Sequence, residues 1–220
     1  MRLIACAYRS WAVKAVTALE NLFPEHEFRI VQSPDEFAKV ILSTSLPDAI
    51  LVIGWSWIFP REVVEQTWVV GIHPSDLPEF AGGSPIQNQI LAGVTATKNT
   101  LFRISAALDR GPILAKVPLS LDGHLDEIFE RLTVTSIVLL VEFIRAFPDN
   151  LKPLEQHEGA PPARRLKPES SALTRADFAQ MTSRQLFDAI RCREDPYPNA
   201  YFEDEIGRLL FKRADFIRGN

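Results

Sequence analysis

The residues best suited to chemistry lie in the stretch VVGIHPSDLPEFAGGSPIQ, which runs from Val69 to Gln87. His73 follows an apolar run typical of a buried strand, and two prolines restrict the loop after it. An imidazole titrates near neutral pH, so a rigidly held histidine is suited to act as a general base or acid. Asp76 in the same loop, or Asp109 in a later one, would support the imidazolium, and the residues alone leave both open.

Two rival chemistries use the same residues. His73 with Ser75 and Asp76 suggests a serine hydrolase, but side chains this close on one loop rarely adopt triad geometry, and the GxSxG motif is absent. His73 with Asp76 and Asp109 suggests a metal site, but the remaining histidines follow no metal-ligand spacing. We therefore expect an acid–base site without a metal.

The first part of the chain predicts strands that alternate with helices. Four apolar runs are interpreted as strands, at Arg2–Ala7, Glu27–Val31, Asp48–Gly54 and Trp68–Ile72. Helical patterns separate them, which is typical of an α/β fold with a Rossmann-like, mostly parallel sheet flanked by helices. Ligands bind such sheets beyond the carboxyl ends of the strands, where His73 is expected.

The remaining sequence predicts the domain organisation. Ser84 is expected to cap a short helix, strands at 100–106 and 112–121 flank the loop that contains Asp109, and a long helix covers 124–147. A segment rich in proline and charge follows this helix. We therefore expect a catalytic domain over 1–150, an extended connection over 151–172, and a small module of a helix and a hairpin over 173–220.

Composition and charge limit the function classes. The chain has 220 residues, 46% hydrophobic and 24% charged, with a net charge of -4 and a pI of about 5.6. This acidic balance argues against nucleic acid as a partner, because nucleic-acid binding requires a basic face. Cys6 and Cys192 lack metal-ligand spacing and no apolar run suits a membrane span, so we expect reduced thiols in a cytoplasmic protein. A homodimer through the long helix or the hairpin is a further expectation.

A family resemblance rests on GIHPSDLPEFAGGSPIQ followed by ISAALDRGPIL. These motifs resemble the formyltransferases that use N10-formyltetrahydrofolate, with their Asn-x-His-x-Ser-x-Leu-Pro, Pro-Ile-Gln and Leu-Asp-x-Gly segments. The spacing from His73 to Asp109 (109 − 73 = 36) matches that family, and LVIGWSWIFP resembles its preceding segment. The resemblance covers roughly residues 1–145. The tail RRLKPESS…LFDAIRCREDPYPNAYF resembles the C-terminal module of sugar-nucleotide N-formyltransferases, in particular those acting on 4-amino-4,6-dideoxy sugars.

The resemblance implies roles for individual residues. His73 would be the catalytic histidine, and Asp109 its conformational and electrostatic partner. The formyl donor, N10-formyltetrahydrofolate, would place its pterin largely against backbone groups of two segments. The residues expected there are Trp57, Ile58, Phe59, Ala106 and Leu108.

Three features suggest where a nucleotide-linked amino sugar, the expected acceptor, would bind. Arg9 lies at a helix N-terminus, where anions bind. Arg164 and Arg165 suit a diphosphate, and aromatic rings near the C-terminus suit a stacked base. Ordinary surface or core roles for each remain open. The full set expected to bind the acceptor is Arg9, Asp76, Gly82, Gly83, Ser84, Gln87, Arg164, Arg165, Tyr197 and Tyr201.

One position departs from the family pattern. Gly71 stands where the family has the asparagine that helps to bind the developing oxyanion, and loss of one such donor typically lowers the rate about 10²–10³-fold. Gln87 and Asn88 are candidate replacements. The expected activity is formyl transfer to a nucleotide-linked amino sugar. Formyl transfer to methionyl-tRNA or another amine is the alternative within the same chemistry, and a catalytically silent folate- or nucleotide-binding protein is the alternative that Gly71 favours.

Overall fold

The computed structural model, which describes residues 1–43 and 45–219, contains a six-stranded sheet and a separate two-stranded hairpin. The strands of the sheet are β1 (Arg2–Cys6), β2 (Glu27–Val31), β3 (Ala49–Ile53), β4 (Trp68–His73), β5 (Ala96–Arg103) and β6 (Ile113–Ser120). They lie in the order β2-β1-β3-β4-β5-β6. The first four are parallel, and β5 and β6 are antiparallel to their neighbours. This confirms the Rossmann-like, mostly parallel α/β fold that the alternating pattern predicts.

Helices connect the strands and cover the sheet. They are α1 (Ser10–Leu22), α2 (Pro34–Ser43), α3 (Arg61–Gln66), α4 (Pro85–Leu91), α5 (Leu125–Ala146), α6 (Arg175–Gln180) and α7 (Ser183–Arg191), with a 3₁₀ turn at Pro168–Ser171. Within the described residues, none of the helices combines the length and hydropathy needed to cross a bilayer.

The two faces of the sheet pack against two different hydrophobic clusters. On one face, residues such as Leu51 and Val70 pack with α1 and α5 in the larger cluster. On the other face, Val52 and Val69 pack with residues of α2 and α3. Because successive side chains of a strand alternate, position 71 and His73 share the second face with Val69. The candidate histidine therefore lies on the same face of the sheet as the smaller cluster.

The loop with Asp109 approaches His73 in a way that a parallel arrangement would not predict. Because β5 is antiparallel to β4, Arg103 lies opposite Val70, and the N–H of Ile104 donates to the carbonyl of Val69 at 2.8 Å. The loop thus starts beside the first half of β4 and folds back over the sheet face. The side chain of Asp109 thereby reaches His73 at the carboxyl end of β4.

A buried arginine contributes to the docking of the C-terminal part on the end of the sheet. Arg191 of α7 donates to the backbone carbonyls of Leu121 and Gly123 at 2.6 and 2.7 Å, and to Asp188 at 2.6 Å. The hairpin consists of β7 (Ala200–Glu203) and β8 (Arg208–Phe211). Helix α6 was not predicted, because none of its residues is buried and it has no apolar stripe.

Candidate active site

His73 ends β4 with its ring almost fully buried, since the residue is 6% exposed. Its Nε2 lies 3.0 Å from the carbonyl oxygen of Phe80, and its Nδ1 lies 3.6 Å from Oδ2 of Asp109. The edge of the Phe102 ring completes its surroundings, with the ring centres 6.4 Å apart. Both ring nitrogens therefore face oxygen acceptors, an arrangement that complements an imidazolium with two N–H donors.

Asp109 is held in an unusual backbone conformation. Its φ is 52°, a left-handed conformation that Asp and Asn adopt more readily than other non-glycine residues. Its Oδ2 accepts the N–H of Gly82 at 2.8 Å. A Cβ at Gly111 would lie 1.8 Å from the carbonyl oxygen of Arg103, so glycine is required there. The Leu-Asp-x-Gly pattern thus builds a tight loop that aims one carboxylate at His73.

The carboxylate of Asp76 pairs with two lysines instead of the histidine. Lys98 lies 3.0 Å from its Oδ2, and Lys116 donates to Oδ1 and to the carbonyl of Leu77. Burial would raise the pKa of Asp76, but hydrogen bonds from Lys116 and Lys98 outweigh this and lower it. Of the two carboxylates left open by the sequence, the structure places Asp109 beside His73.

The two rival chemistries lack their geometry. The hydroxyl of Ser75 is fully buried and donates to the carbonyl of Glu79 at 2.6 Å, so it does not face His73 as a nucleophile would. Within residues 1–43 and 45–219, no three His, Cys, Asp or Glu side chains cluster as metal ligands.

An aromatic ring fills the space beside Gly71. A Cβ at this position would lie 2.9 Å from Cε1 of Phe102 and 3.2 Å from Cδ1 of Ile104. The Phe102 ring would have to shift for any side chain to fit there. The site therefore has an apolar wall where the family pattern has an amide.

The two candidate replacement donors differ in their availability. Asn88 Nδ2 already donates to the carbonyls of Gly83 and Arg164, at 2.8 and 3.3 Å. Gln87 is 4% exposed, and its buried Nε2 has no protein partner. Of these two amides, only that of Gln87 retains a free donor.

The glycine pair and Ser84 contact the connecting segment. A Cβ at Gly82 would lie 2.5 Å from the carbonyl oxygen of Ala163, and one at Gly83 would lie 2.5 Å from the backbone nitrogen of Arg165. Ser84 occupies the predicted N-cap position of α4, but its hydroxyl accepts the N–H of Leu166 at 3.1 Å and makes no cap hydrogen bond to the helix. The side chains of Arg164 and Arg165 are exposed beside this loop.

A cluster of aromatic rings lies beyond the carboxyl ends of β1 and β3. Tyr8 contacts Trp57 with ring centres 5.0 Å apart, and Trp55 contacts Trp57 at 4.8 Å. Trp57 is 43% exposed and Ile58 is 92% exposed. Phe59 is half-buried and packs on Trp55 and Phe37.

Two irregular segments offer backbone donors to a ligand. The N–H groups of residues 55–59 and 105–109, all within the described chain, make no hydrogen bond to the protein. Ala106 and Leu108 are exposed on the second segment. A pterin carries donors and acceptors along one edge and an aromatic face. Free backbone groups next to tryptophan rings fit such a group.

The residues expected at the nucleotide lie in two places. The guanidinium of Arg9 lies 5.2 Å from the ring centres of both Tyr8 and Tyr197. Tyr201 is on the hairpin, where Arg208 stacks over it at 4.2 Å. The structure therefore brings Arg9 and Tyr197 together.

The fold and the site define a class of α/β domain with a buried histidine–aspartate pair at the end of β4. Residues 12–143 match the family described as formyl transferase. The chain belongs to this family. It is 28% identical over 186 residues to a methionyl-tRNA formyltransferase of Rhizorhabdus wittichii, a match that covers 83% of this chain and 59% of that protein. The chain thus spans less than two thirds of this relative's length.

Solved structures with the same fold have different names. A methionyl-tRNA formyltransferase from Clostridium thermocellum superposes with a TM-score of 0.86 and 31% identity, covering 100% of this chain and 95% of that one. A 4-N formyltransferase from Francisella tularensis gives 0.78 at 16% identity, with 99% and 98% covered. HypX from Aquifex aeolicus, in complex with tetrahydrofolic acid, gives 0.76 at 20% identity, with 92% and 35% covered. The last two show the fold alone.

Proposed function

We propose that this protein transfers a formyl group from N10-formyltetrahydrofolate to a primary amine. The observation that carries the proposal is the buried pair of His73 and Asp109, held in the loops of a formyl transferase fold. The free backbone donors of residues 55–59, which include the exposed Trp57, and those of residues 105–109 support binding of the pterin. We assign the catalytic unit to residues 1–150, the connection to 151–172 and the small module to 173–220.

In the proposed reaction His73 accepts the proton that the amine loses. A bond forms between the amine nitrogen and the formyl carbon, the bond from that carbon to N10 of the folate breaks, and the proton ends on N10. Asp109 stabilises the imidazolium because its carboxylate lies beside Nδ1, and the Phe80 carbonyl accepts the other N–H. No covalent intermediate with the protein is needed.

The charge that develops on the formyl oxygen needs a donor. Because Phe102 fills the space at Gly71 and both N–H groups of His73 face Phe80 and Asp109, we assign this role to the free Nε2 of Gln87, and the positive charge of the imidazolium adds electrostatic stabilisation. A site with fewer preorganised donors stabilises the transition state less. We therefore expect a slower reaction than a site with an asparagine would support.

We propose a nucleotide-linked amino sugar, of the 4-amino-4,6-dideoxy type, as the acceptor. The net charge of -4 disfavours a polyanion such as tRNA. Arg9 with Tyr197 suits a base or phosphate, and the exposed Arg164 and Arg165 suit a diphosphate. The fold also extends over 99% of this chain in a 4-N formyltransferase.

Methionyl-tRNA is the second candidate acceptor. Sequence similarity favours it, since a methionyl-tRNA formyltransferase is 31% identical over the whole chain. In either case two free and buried cysteines suit a reducing compartment, and we place the reaction in the cytoplasm. A homodimer stays a prediction.

Mass spectrometry after incubation with N10-formyltetrahydrofolate separates the acceptors. The panel contains nucleotide-linked 4-amino and 3-amino sugars, methionyl-tRNA and unlinked amines. The proposal expects one nucleotide-linked amino sugar to gain a single CO unit, with methionyl-tRNA unchanged. Formylation of methionyl-tRNA alone would replace the sugar by the second candidate. Folate binding without a formylated product in any arm would favour a silent binding protein.

A further inference from the structure

The connection between the two parts of the chain crosses both loops of the site. We call residues 154–166 the strap. Leu154 and Ile113 exchange backbone hydrogen bonds of 2.8 Å in both directions, and Ala163 donates to the carbonyl of Ala81 at 2.7 Å. At the last residue of the strap, the N–H of Leu166 donates to the hydroxyl of Ser84. The strap therefore ties the loop of Asp109 to the loop after His73.

One side chain of the strap holds the backbone around Asp109. Gln156 Nε2 donates to the carbonyl oxygens of Asp109 and Gly111, at 2.9 and 2.7 Å. Both of its N–H donors are thus used on the same short turn. The adjacent Arg110 reaches back to the strap and donates to the carbonyls of Gly159 and Ala160. Hydrogen bonds from the strap to the turn, and from the turn to the strap, therefore hold the left-handed turn at Asp109.

We propose that Gln156 is a positioning residue, which keeps the carboxylate of Asp109 on the Gly82 N–H and beside His73. The catalytic consequence of this inference rests on the proposed function, but the hydrogen bonds that Gln156 makes do not depend on it. Asp109 has φ 52°, a conformation that persists only where surrounding contacts enforce it. Removal of both hydrogen bonds frees the turn to relax, and a small displacement of the carboxylate then lowers the rate.

The amide is required for this role because a carboxamide supplies two donors from one nitrogen. Gln156→Glu has the same shape but presents an acceptor to two carbonyl oxygens. Gln156→Met removes the donors without adding charge. Gln180→Glu is the matched control, because Gln180 is exposed at the end of α6 and makes no hydrogen bond with its side chain among the described residues.

The test reads the position of Asp109 without using activity. Hydrogen exchange of the Gly82 N–H reports its bond to Asp109, and exchange of the Gly83 N–H reports its bond to Ala163 of the strap at 2.8 Å. In Gln156→Met we expect Gly82 to exchange about 10-fold faster and Gly83 to change less than about 2-fold. Equal acceleration of both would mean that the whole strap loosens, and no acceleration would mean that Gln156 does not hold Asp109. Either result overturns the proposal.

Kinetics then connect the position to the reaction. For an active wild type, Gln156→Glu and Gln156→Met should lower kcat about 10-fold or more, with KM for the formyl donor and the Gln180→Glu control little changed. In an Asp109→Asn background the same changes should cost less than about 2-fold, because the residues act as one unit. Equal losses in both backgrounds would contradict a role through Asp109. An inactive wild type would reject the proposed function but leave the exchange test standing.

Discussion

Asp109→Asn isolates the charge beside His73. Asparagine has the same shape, tolerates the left-handed backbone at φ 52°, and keeps an oxygen for the Gly82 N–H. At the 3.6 Å between His73 Nδ1 and Asp109 Oδ2, Coulomb's law with an effective dielectric of about 20 gives about 5 kcal/mol. Desolvation of both groups offsets part of this energy, and removal of one preorganised electrostatic partner typically lowers kcat about 10²–10³-fold, which is the loss we expect.

The assay is product formation at saturating formyl donor, with folate affinity and thermal stability measured in parallel. The account expects kcat to fall while folate affinity and the unfolding temperature stay close to wild type, because shape and backbone are kept. A kcat within about 3-fold of wild type would refute the reasoning, since it would leave the carboxylate with less than about 1 kcal/mol of transition-state stabilisation.

Three further predictions concern other parts of the chain. Gly71→Asn should lower the free energy of unfolding by about 1–3 kcal/mol, and adding Phe102→Val should recover part of this loss; chemical denaturation that shows no cost for the single change would contradict the packing argument. Burial raises the pKa of Cys192 to about 11 and that of Cys6 further, so neither thiol should react with Ellman's reagent at mildly alkaline pH until denaturant is added. Asp76→Asn should lower the free energy of unfolding by less than about 1 kcal/mol at neutral pH, since the carboxylate is 40% exposed. That contribution is present above the unfolded pKa of 3.8 and lost as the pH falls through the lower folded value, so the difference in unfolding temperature should shrink only in acid.

The alternating pattern of strands and helices was sufficient to predict the sheet, because local periodicity encodes it. The start of β5 was not predictable in this way. Asn99 looks like a loop residue, yet it is fully buried in β5, where its amide donates to Thr135 and Ser136 of α5. Such a partner, more than thirty residues away, has no local signal. Helix α6 did carry a local sequence signal, because Thr174 and Asp177 form a capping box.

The candidate site was likewise only partly predictable from the sequence. Motif and spacing were sufficient to propose His73 with Asp76 or Asp109 as its partner, but the preference for Asp109 required the structure, in which two lysines on neighbouring strands pair with Asp76. Gln156 gave no signal in the sequence, because its role depends on hydrogen bonds that span 47 and 45 residues. The Phe102 ring at Gly71 likewise depends on the antiparallel pairing of β4 and β5.

The measurement that tests the central claim most directly compares wild type with His73→Asn on the best acceptor of the panel. Asparagine retains hydrogen-bonding groups but cannot take a proton in the physiological range. The account predicts that the wild type adds one CO unit to the acceptor and releases tetrahydrofolate. It also predicts that His73→Asn still binds folate but loses formyl transfer by about 10²-fold or more. Equal turnover by the two proteins would contradict the assignment of His73 as the group that moves the proton.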